Sequence, residues 1–193
     1  MIDLRRNTKG DFTPGRPLSS RVLWHGVETL LFRNPLVTSY RLKRWVLRSF
    51  GAKIGRGVLI KPGVRVKFPW RLRVGDYTWI GEGAWIDNLA PVDIGSHACV
   101  SQGAYLCTGN HDWSDVGMRL VTKPISIGDG AWVGAFSLVG PGVRIGKQAV
   151  TTLGSVLVTD AEPGVIYSGN PAVATRRRQV RETGLVGKGR SDI

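Results

Sequence analysis

Only three side chains in the sequence are imidazoles, the groups best suited to exchange protons near neutral pH: His25, His97 and His111. His97 and His111 are fourteen residues apart, and His25 precedes them in a different part of the chain. A zinc site needs three or four converging nitrogen, sulfur or oxygen ligands, and the two cysteines, Cys99 and Cys107, form no CxxC pair. The spacing therefore predicts no metal site and no disulfide framework.

A six-residue repeat that begins at Ile54 defines where two of these histidines lie. Cut into sixes, with short extensions and one insertion set aside, the chain gives fifteen units, from IGRGVL to LVTDAE. The first position is aliphatic in fourteen units, Thr151 being the exception, and the fifth is Ala, Ser, Thr or Val in all but two units, which have Trp70 and Asn110 there. Gly fills the second position in eight units and the fourth in eight.

This repeat predicts short strands that turn a corner every six residues. Gly, Asn and Asp at the corners tolerate a positive φ, and three such strands close a triangular coil around the stacked aliphatic side chains. A β-sandwich would instead show alternating polarity and turn signals every 8–12 residues. The sequence therefore predicts an all-β, parallel β-helix.

The coils of this β-helix are predicted to start near residues 54, 74, 94, 127 and 145, which makes about five. Two-residue extensions precede the second, third and fourth coils, and residues 112–126 form an insertion too long for a corner. His111, at the sixth position of its unit, faces outward and immediately precedes this insertion, where loops tend to carry function. His97 is predicted to be a solvated corner residue and His25 a helix residue.

The net charge of +13 lies in the two ends of the chain. Residues 1–53 contribute +8, residues 54–162 contribute +1 and residues 163–193 contribute +4. These ranges are the predicted domain parts: a basic N-terminal extension with helices, the β-helix, and a closing turn with a basic tail. Basic ends favour phosphate groups or an anionic membrane, whereas the lack of one basic face with interleaved aromatics argues against a nucleic-acid partner.

Two helices are predicted in the N-terminal part. The first is predicted to follow a cap at Ser19-Ser20 and to stop at Asn34-Pro35. The second, TSYRLKRWVLRSFG, has an apolar face and four basic residues, Arg41, Lys43, Arg44 and Arg48. Such a helix either lies on an anionic bilayer or packs on the first coil with a solvated basic face.

Composition limits the remaining classes of protein. The 193 residues are 42% hydrophobic and 21% charged with 26 glycines, which argues for a soluble core and against a coiled coil or a helix bundle. No apolar run reaches the roughly 18 residues that a spanning helix needs. Since no export signal is visible, we expect the protein in the cytoplasm, at the inner face of the membrane if the second helix binds there.

Several segments together resemble the hexapeptide acyltransferases, and more closely the colanic acid biosynthesis acetyltransferases. They are RSFGAKIG, WIGE, SQGAYLCTGNHDW, KPISIGDGAWVG, PGVRIGKQAV and SGNPA, spread over roughly residues 40–178. The resemblance implies a left-handed parallel β-helix, a homotrimer, and acetyl-CoA as co-substrate. It also implies direct O-acetylation of a sugar hydroxyl in exopolysaccharide or related surface-glycan synthesis.

The resemblance also implies roles for particular residues. His111 would be the general base, Asn110 would shape the site, and Asp112 would orient His111, contact the acceptor or only cap the loop. A backbone N–H at the Gly134-Ala135 corner would bind the oxyanion.

Acetyl-CoA would lie between subunits. Its predicted contacts are Trp132, Gly134 and Ala135 near the thioester, Gly154 and Ser155 further along, and Arg176, Arg177 and Arg178 at the phosphates. Each glycine or serine fits the repeat equally well as a structural residue. Thr159 stands where many relatives have a lysine, which removes one expected phosphate partner. Asp87 and Asn88 are the predicted acceptor contacts.

The sequence is also compatible with other functions on this fold. The acceptor could be an amino sugar or a serine-like molecule, and a sugar acceptor could be free or lipid-linked. A non-catalytic or metal-binding hexapeptide protein is a further alternative, although the three histidines form no plausible zinc triad.

Overall fold

The computed structural model describes residues 1–181, and the end of the predicted basic tail, residues 182–193, lies outside this range. Short strands wind from Lys53 onward into a three-sided β-helix. The strands are β1 Lys53–Ile54, β2 Leu59–Ile60, β3 Arg65–Val66, β4 Leu72–Val74, β5 Trp79–Ile80, β6 Trp85–Asp87, β7 Val92–Ile94, β8 Cys99–Val100, β9 Tyr105–Cys107, β10 Gly109–His111, β11 Leu120–Thr122, β12 Ile125–Ile127, β13 Trp132–Val133, β14 Leu138–Val139, β15 Arg144–Ile145, β16 Val150–Thr151, β17 Val156–Leu157, β18 Val165–Gly169 and β19 Ala172–Arg177.

Three sheets form the sides of the triangle. Sheet I has the order β1-β4-β7-β12-β15, sheet II has β19-β18-β16-β13-β8-β5-β2, and sheet III has β17-β14-β9-β6-β3. Successive coils pair in parallel, and only the closing pair β18–β19 is antiparallel within these sheets. Five coils are complete, and Ala161, which bridges to Ile145, begins a sixth with β18. The predicted fold class and coil starts are confirmed.

The repeat positions explain the core. All fifteen residues at the first position are buried, including Thr151 at 1% exposure. The residues at the fifth position are buried in every unit except the two that depart from the pattern, Trp70 and Asn110. His97 lies at a corner with φ 55° and stacks on Tyr77, which has the same φ, with ring centroids 5.4 Å apart.

Two helices close the first end of the β-helix: α1, Leu18–Val27, which continues as a π-helical turn to Phe32, and α2, Tyr40–Ser49. The predicted cap at Ser19-Ser20 is wrong, because α1 already begins at Leu18 after Pro17. Ser39 caps α2 by accepting a hydrogen bond from the Leu42 N–H at 3.3 Å. None of the helices within residues 1–181 is long and apolar enough to cross a membrane.

The basic side chains of α2 cap open carbonyl groups. Each coil donates its N–H groups to the carbonyls of the next coil, as in Gly55 N to Val74 O at 2.8 Å, so the carbonyls of the first coil have no coil beneath them. Four side chains fill this role: Lys43 Nζ donates to Ile60 O at 3.4 Å, Arg44 Nη1 to Val58 O at 2.7 Å, Arg48 Nη2 to Ile54 O at 2.7 Å, and Trp24 Nε1, from α1, to Val66 O at 2.7 Å.

These bonds support the interpretation in which α2 packs on the first coil, and they correct its prediction of a solvated basic face. Three of its four basic side chains bond carbonyls of the first coil, Arg48 while remaining exposed, and only Arg41 lacks a capping bond among residues 1–181. Burial lowers the pKa of Lys43, whose side chain is fully enclosed. The basic side chains of α2 therefore cap the first end of the β-helix.

Candidate active site

The predicted insertion leaves the β-helix as a hairpin. Its arms, β10 and β11, pair antiparallel, with His111 opposite Leu120. The hairpin starts where sheet III ends in the third coil and returns to sheet I at β12, which places it at the corner between those sheets. His111 is the last residue of β10, and its side chain is exposed.

The tautomer of His111 follows from one contact. Its Nδ1 lies 2.7 Å from the carbonyl oxygen of Met118, across the hairpin. Because a carbonyl oxygen only accepts hydrogen bonds, Nδ1 carries the proton, and Nε2 of the neutral ring keeps its lone pair. The exposed ring therefore offers one defined basic nitrogen.

A second side chain holds the same carbonyl. Asn7 donates from Nδ2 to Met118 O at 2.7 Å and to Gly117 O at 2.9 Å. The N-terminal strap, residues 3–14, thus runs along the hairpin, and the Leu120 N–H donates to Thr8 O at 3.0 Å. Sequence reasoning missed Asn7, because its partners are backbone atoms about 110 residues away and no local pattern marks such a contact.

Asn110 and Asp112 shape the hairpin on either side of His111. The Oδ1 atom of Asn110 accepts from the His111 N–H at 2.8 Å. Asp112 Oδ1 accepts from Ser114 N at 3.0 Å, and its other oxygen is 3.8 Å from Arg119 Nη2. Hydrogen bonds from Ser114 hold the pKa of Asp112 below its ordinary value. Asp112 therefore caps the loop, and the prediction that it orients His111 is corrected, since Met118 does so.

The predicted acceptor residues lie at the same corner, one coil below. Asn88 is fully buried and clamps the backbone of Phe68, accepting from its N at 2.8 Å and donating to its O at 2.7 Å. The prediction that the Asn88 side chain contacts an acceptor is therefore wrong. Asp87 is 8% exposed, pairs with Lys67 Nζ at 2.9 Å and accepts from the Tyr105 hydroxyl at 3.1 Å. Burial raises the pKa of Tyr105, so it stays a donor.

The residues predicted to lie near the thioester occupy a different corner, between sheets II and III. Trp132 is 46% exposed and donates from Nε1 to Ser101 Oγ at 2.8 Å. Gly134 and Ala135 follow it at the corner, and Gly154 stacks in the next coil by donating its N–H to Ala135 O at 2.8 Å. The structure thus brings these four residues together along one edge.

Two details of this edge correct the predictions. The Gly134 N–H already donates to Thr151 O at 2.9 Å, so it is no free oxyanion donor, whereas no acceptor for the Ala135 N–H lies within residues 1–181. Ser155 is fully buried, and its hydroxyl lies 3.0 Å from Thr152 Oγ1. Its side chain cannot reach a ligand outside the coil.

The three arginines do not form a single cluster. Arg176 and Arg177 are neighbours in β19, so their exposed side chains point to opposite faces. Arg178 donates from Nη1 to Gly130 O at 2.8 Å and to Gln148 O at 3.2 Å, which ties the closing pair to two coils. Arg178 therefore has a structural role here.

The two halves of the candidate site are far apart within one chain. His111 is at the corner between sheets III and I, whereas Ala135 is at the corner between sheets II and III. One full side of the triangle separates these corners. This side is one hexapeptide, which spans at most ~20 Å. In the part of the chain that the structure describes, no group of three or more His, Cys, Asp or Glu residues is placed to hold a metal ion.

Sequence comparison with known proteins identifies acetyltransferases as relatives of this chain. No family model matches the chain. The Escherichia coli K12 protein named "Putative colanic acid biosynthesis acetyltransferase WcaF" is 38% identical over 156 residues, 81% of this chain and 86% of the relative. Galactoside O-acetyltransferase from the same strain is 25% identical over 141 residues, 71% of this chain and 69% of that relative.

A solved structure gives the same result for the fold. The hexapeptide-repeat acetyltransferase VCA0836 of Vibrio cholerae, in complex with acetyl-CoA, superposes with a TM-score of 0.76 at 22% identity, covering 84% of this chain and 88% of that one. The predicted left-handed β-helix is thereby confirmed. The chain belongs to the hexapeptide-repeat acetyltransferase family.

Proposed function

We propose that this protein transfers the acetyl group of acetyl-CoA to a sugar hydroxyl in the synthesis of exopolysaccharide or a related surface glycan. Support comes from the family, from the names of its relatives, and above all from one observation: the Met118 carbonyl fixes His111 with Nε2 as its basic nitrogen. A neutral imidazole is suited to act as a general base at neutral pH.

His111 moves one proton in the proposed reaction. Nε2 takes it from the acceptor hydroxyl as that oxygen forms a bond to the thioester carbon. The Ala135 N–H stabilises the negative charge that develops on the carbonyl oxygen. When the carbon–sulfur bond breaks, His111 returns the proton to the sulfur, so that atoms and charge balance.

The site requires more than one subunit. Since His111 and Ala135 occupy different corners of a chain, we propose a homotrimer in which the hairpin of one subunit faces the edge between sheets II and III of its neighbour. Trp132 and Gly154 would line the acetyl-CoA groove at that edge. Arg176 and Arg177 remain the proposed phosphate contacts.

His111→Ala tests the proposal directly. Because a well-placed general base contributes roughly 10²–10⁴-fold, we expect kcat to fall by about that factor, with KM for acetyl-CoA and the thermal unfolding temperature nearly unchanged. His97→Ala, at an exposed corner, is the matched control and should keep full activity. Turnover of His111→Ala within threefold of wild type would rule out this role.

We also propose that the helical end of the molecule contacts an anionic membrane at the cytoplasmic face, where lipid-linked acceptors are available. Large apolar side chains of this end are exposed: Leu18, Val22, Leu23, Leu30, Leu36 and Trp45. The exposed Arg41 accompanies them, and residues 1–53 carry an excess charge of +8. This face replaces the basic side of α2 as the proposed membrane contact.

A further inference from the structure

A cavity of about 280 Å³ lies between α1 and the first two coils on sheet III. We call it the cationic cavity, because four of its lining side chains carry positive charge, Arg21, Arg33, Arg65 and Lys67, against the one carboxylate of Glu28. At about 30 Å³ per water molecule, it has room for roughly nine waters, which is ample for a phosphate group.

Two of the four cations lack an acidic partner. Glu28 uses both of its oxygens, accepting from Val66 N at 2.9 Å and from Arg33 Nη2 at 3.1 Å. Lys67 pairs with Asp87 at 2.9 Å.

For Arg21 and Arg65, no salt bridge to another residue within 1–181 exists, and the Nε atom of each is buried without an acceptor. Buried donors of this kind cost stability unless a ligand or an ordered water supplies the acceptor.

The stacked rings of Trp85 and Tyr105, which we call the aromatic column, position the Arg65 guanidinium for such a ligand. This guanidinium lies over the ring of Trp85 at 4.0 Å, and Trp85 stacks on Tyr105 with centroids 4.5 Å apart. A guanidinium held over a ring still presents its fork of N–H donors, which can bind two phosphate oxygens at once.

The column leads from the cavity toward His111. Arg65, Trp85 and Tyr105 are successive partners on sheet III. At about 4.8 Å per coil, Arg65 lies roughly 10 Å below Tyr105. The strand of Tyr105, β9, runs directly into the hairpin, and the N-terminal strap joins the two regions because Phe12 stacks on Phe68, which lines the cavity.

We propose that the cationic cavity binds the phosphate or diphosphate of an activated sugar, whose hydroxyl is thereby presented toward His111. The acceptor class is then a nucleotide-linked or lipid-linked sugar rather than a neutral free saccharide. This inference rests on the proposed acetyl transfer for its biological meaning, but the binding itself can be measured without acetyl-CoA.

Calorimetric titration of the full chain, without acetyl-CoA, tests this binding with three probes: UDP-glucose, farnesyl diphosphate and methyl glucoside. We expect at least one diphosphate to bind. Losing a charge-assisted bidentate contact should raise its Kd roughly 10- to 100-fold in Arg65→Gln, and Arg21→Gln should also weaken it. Arg73→Gln, which alters an exposed arginine on sheet I, is the matched control and should bind as wild type does. Near-ultraviolet circular dichroism checks that the variants are folded.

Tighter binding of UDP-glucose indicates a nucleotide-linked acceptor, and tighter binding of farnesyl diphosphate a lipid-linked one. The inference is overturned if neither diphosphate binds, if Arg65→Gln and Arg21→Gln both bind like wild type, or if Arg65→Gln raises KM for acetyl-CoA, since the cavity would then hold the CoA phosphates. A wild-type protein that binds a diphosphate but acetylates no acceptor contradicts the proposed function and leaves the cavity assignment standing.

Discussion

At the scale of single residues, the proposed base is set up by backbone rather than by a carboxylate. Met118 O orients the His111 ring, and Asn7 in turn holds Met118 O from the far end of the chain. Asp112, which the sequence analysis considers as the residue that orients His111, instead accepts a hydrogen bond from Ser114. A neutral carbonyl fixes the tautomer, so the geometry of the hairpin determines which nitrogen is basic.

Asn7 is therefore a positioning residue. In Asn7→Ala the Met118 carbonyl loses one of its two donors, worth about 1 kcal/mol, and we expect kcat to fall roughly fivefold while KM for acetyl-CoA is unchanged. In a His111→Ala background the same change should have no further effect on kcat. Equal losses in both backgrounds, or a loss confined to KM, would show that Asn7 acts only on the structure of the strap.

At the scale of elements, α1 and α2 cover one end of the β-helix, where every parallel β-helix has unpaired backbone groups. An uncovered coil exposes a row of unpaired carbonyls to water or to another chain. Here, side chains of Trp24, Lys43, Arg44 and Arg48 bond those carbonyls directly. The positive charge of the N-terminal region thus has a structural role, in addition to any role in binding a ligand.

Removal of one cap should lower stability measurably. Arg48 donates three hydrogen bonds to the Ile54 and Gly55 carbonyls. We expect Arg48→Ala to lower the free energy of unfolding by about 1.5–3 kcal/mol, since these bonds come from a charged group. Arg41→Ala, on the same helix but without a capping bond in the described chain, should stay within about 0.5 kcal/mol. Chemical denaturation of both variants provides the measurement, and equal stabilities would contradict the capping role.

The repeat made most of the β-helix predictable. An inward side chain every six residues leaves little freedom, so burial follows the pattern even at Thr151 and is lost only where the fifth position departs from it, at Trp70 and Asn110. The helix caps and the strap could not be predicted, because each depends on a side chain meeting a backbone atom that no local pattern specifies. Asn88 and Ser155 show the same limit: a polar residue beside a site resembles a ligand contact until its partners are known.

At the scale of the whole molecule, the proposed mechanism makes assembly a condition for activity, because His111 and Ala135 lie at different corners of one chain. Neither corner of a chain holds both the base and the oxyanion donor. Each proposed site therefore takes its base from one subunit and its acetyl-CoA edge from the next, which closes a ring of three equivalent sites.

Mixed oligomers can reveal this sharing. His111→Ala removes the base, and Ala135→Trp blocks the edge between sheets II and III, so each variant alone should be inactive. Subunits refolded together at equal amounts should regain about a quarter of wild-type activity, because one site in four combines an intact base with an intact edge. Mass measurement in solution checks that both variants form trimers. Absence of any recovery in mixed trimers would place both groups in the same subunit.

The helical end of the molecule exposes apolar side chains that we expect to contact a membrane. Leu30 and Trp45 are 69% and 66% exposed, and apolar side chains of this size gain free energy by entering the headgroup boundary of a bilayer. Nearby cations add about 1 kcal/mol each on an anionic surface. We expect the protein to sediment with vesicles rich in phosphatidylserine at low salt, and less so at high salt, where charges are screened.

In Leu30→Ser/Trp45→Ser, sedimentation with these vesicles should be lost. The matched control is Val173→Ser, which alters an exposed apolar residue in β19 at the opposite end and should sediment like wild type. If the double variant still sediments, or if wild type stays in the supernatant at low salt, the exposed apolar side chains serve another partner. The orientation that binding would impose is end-on, with the axis of the β-helix rising from the membrane. The cationic cavity, which α1 borders, would then lie near the headgroups, where a lipid-linked diphosphate could enter it.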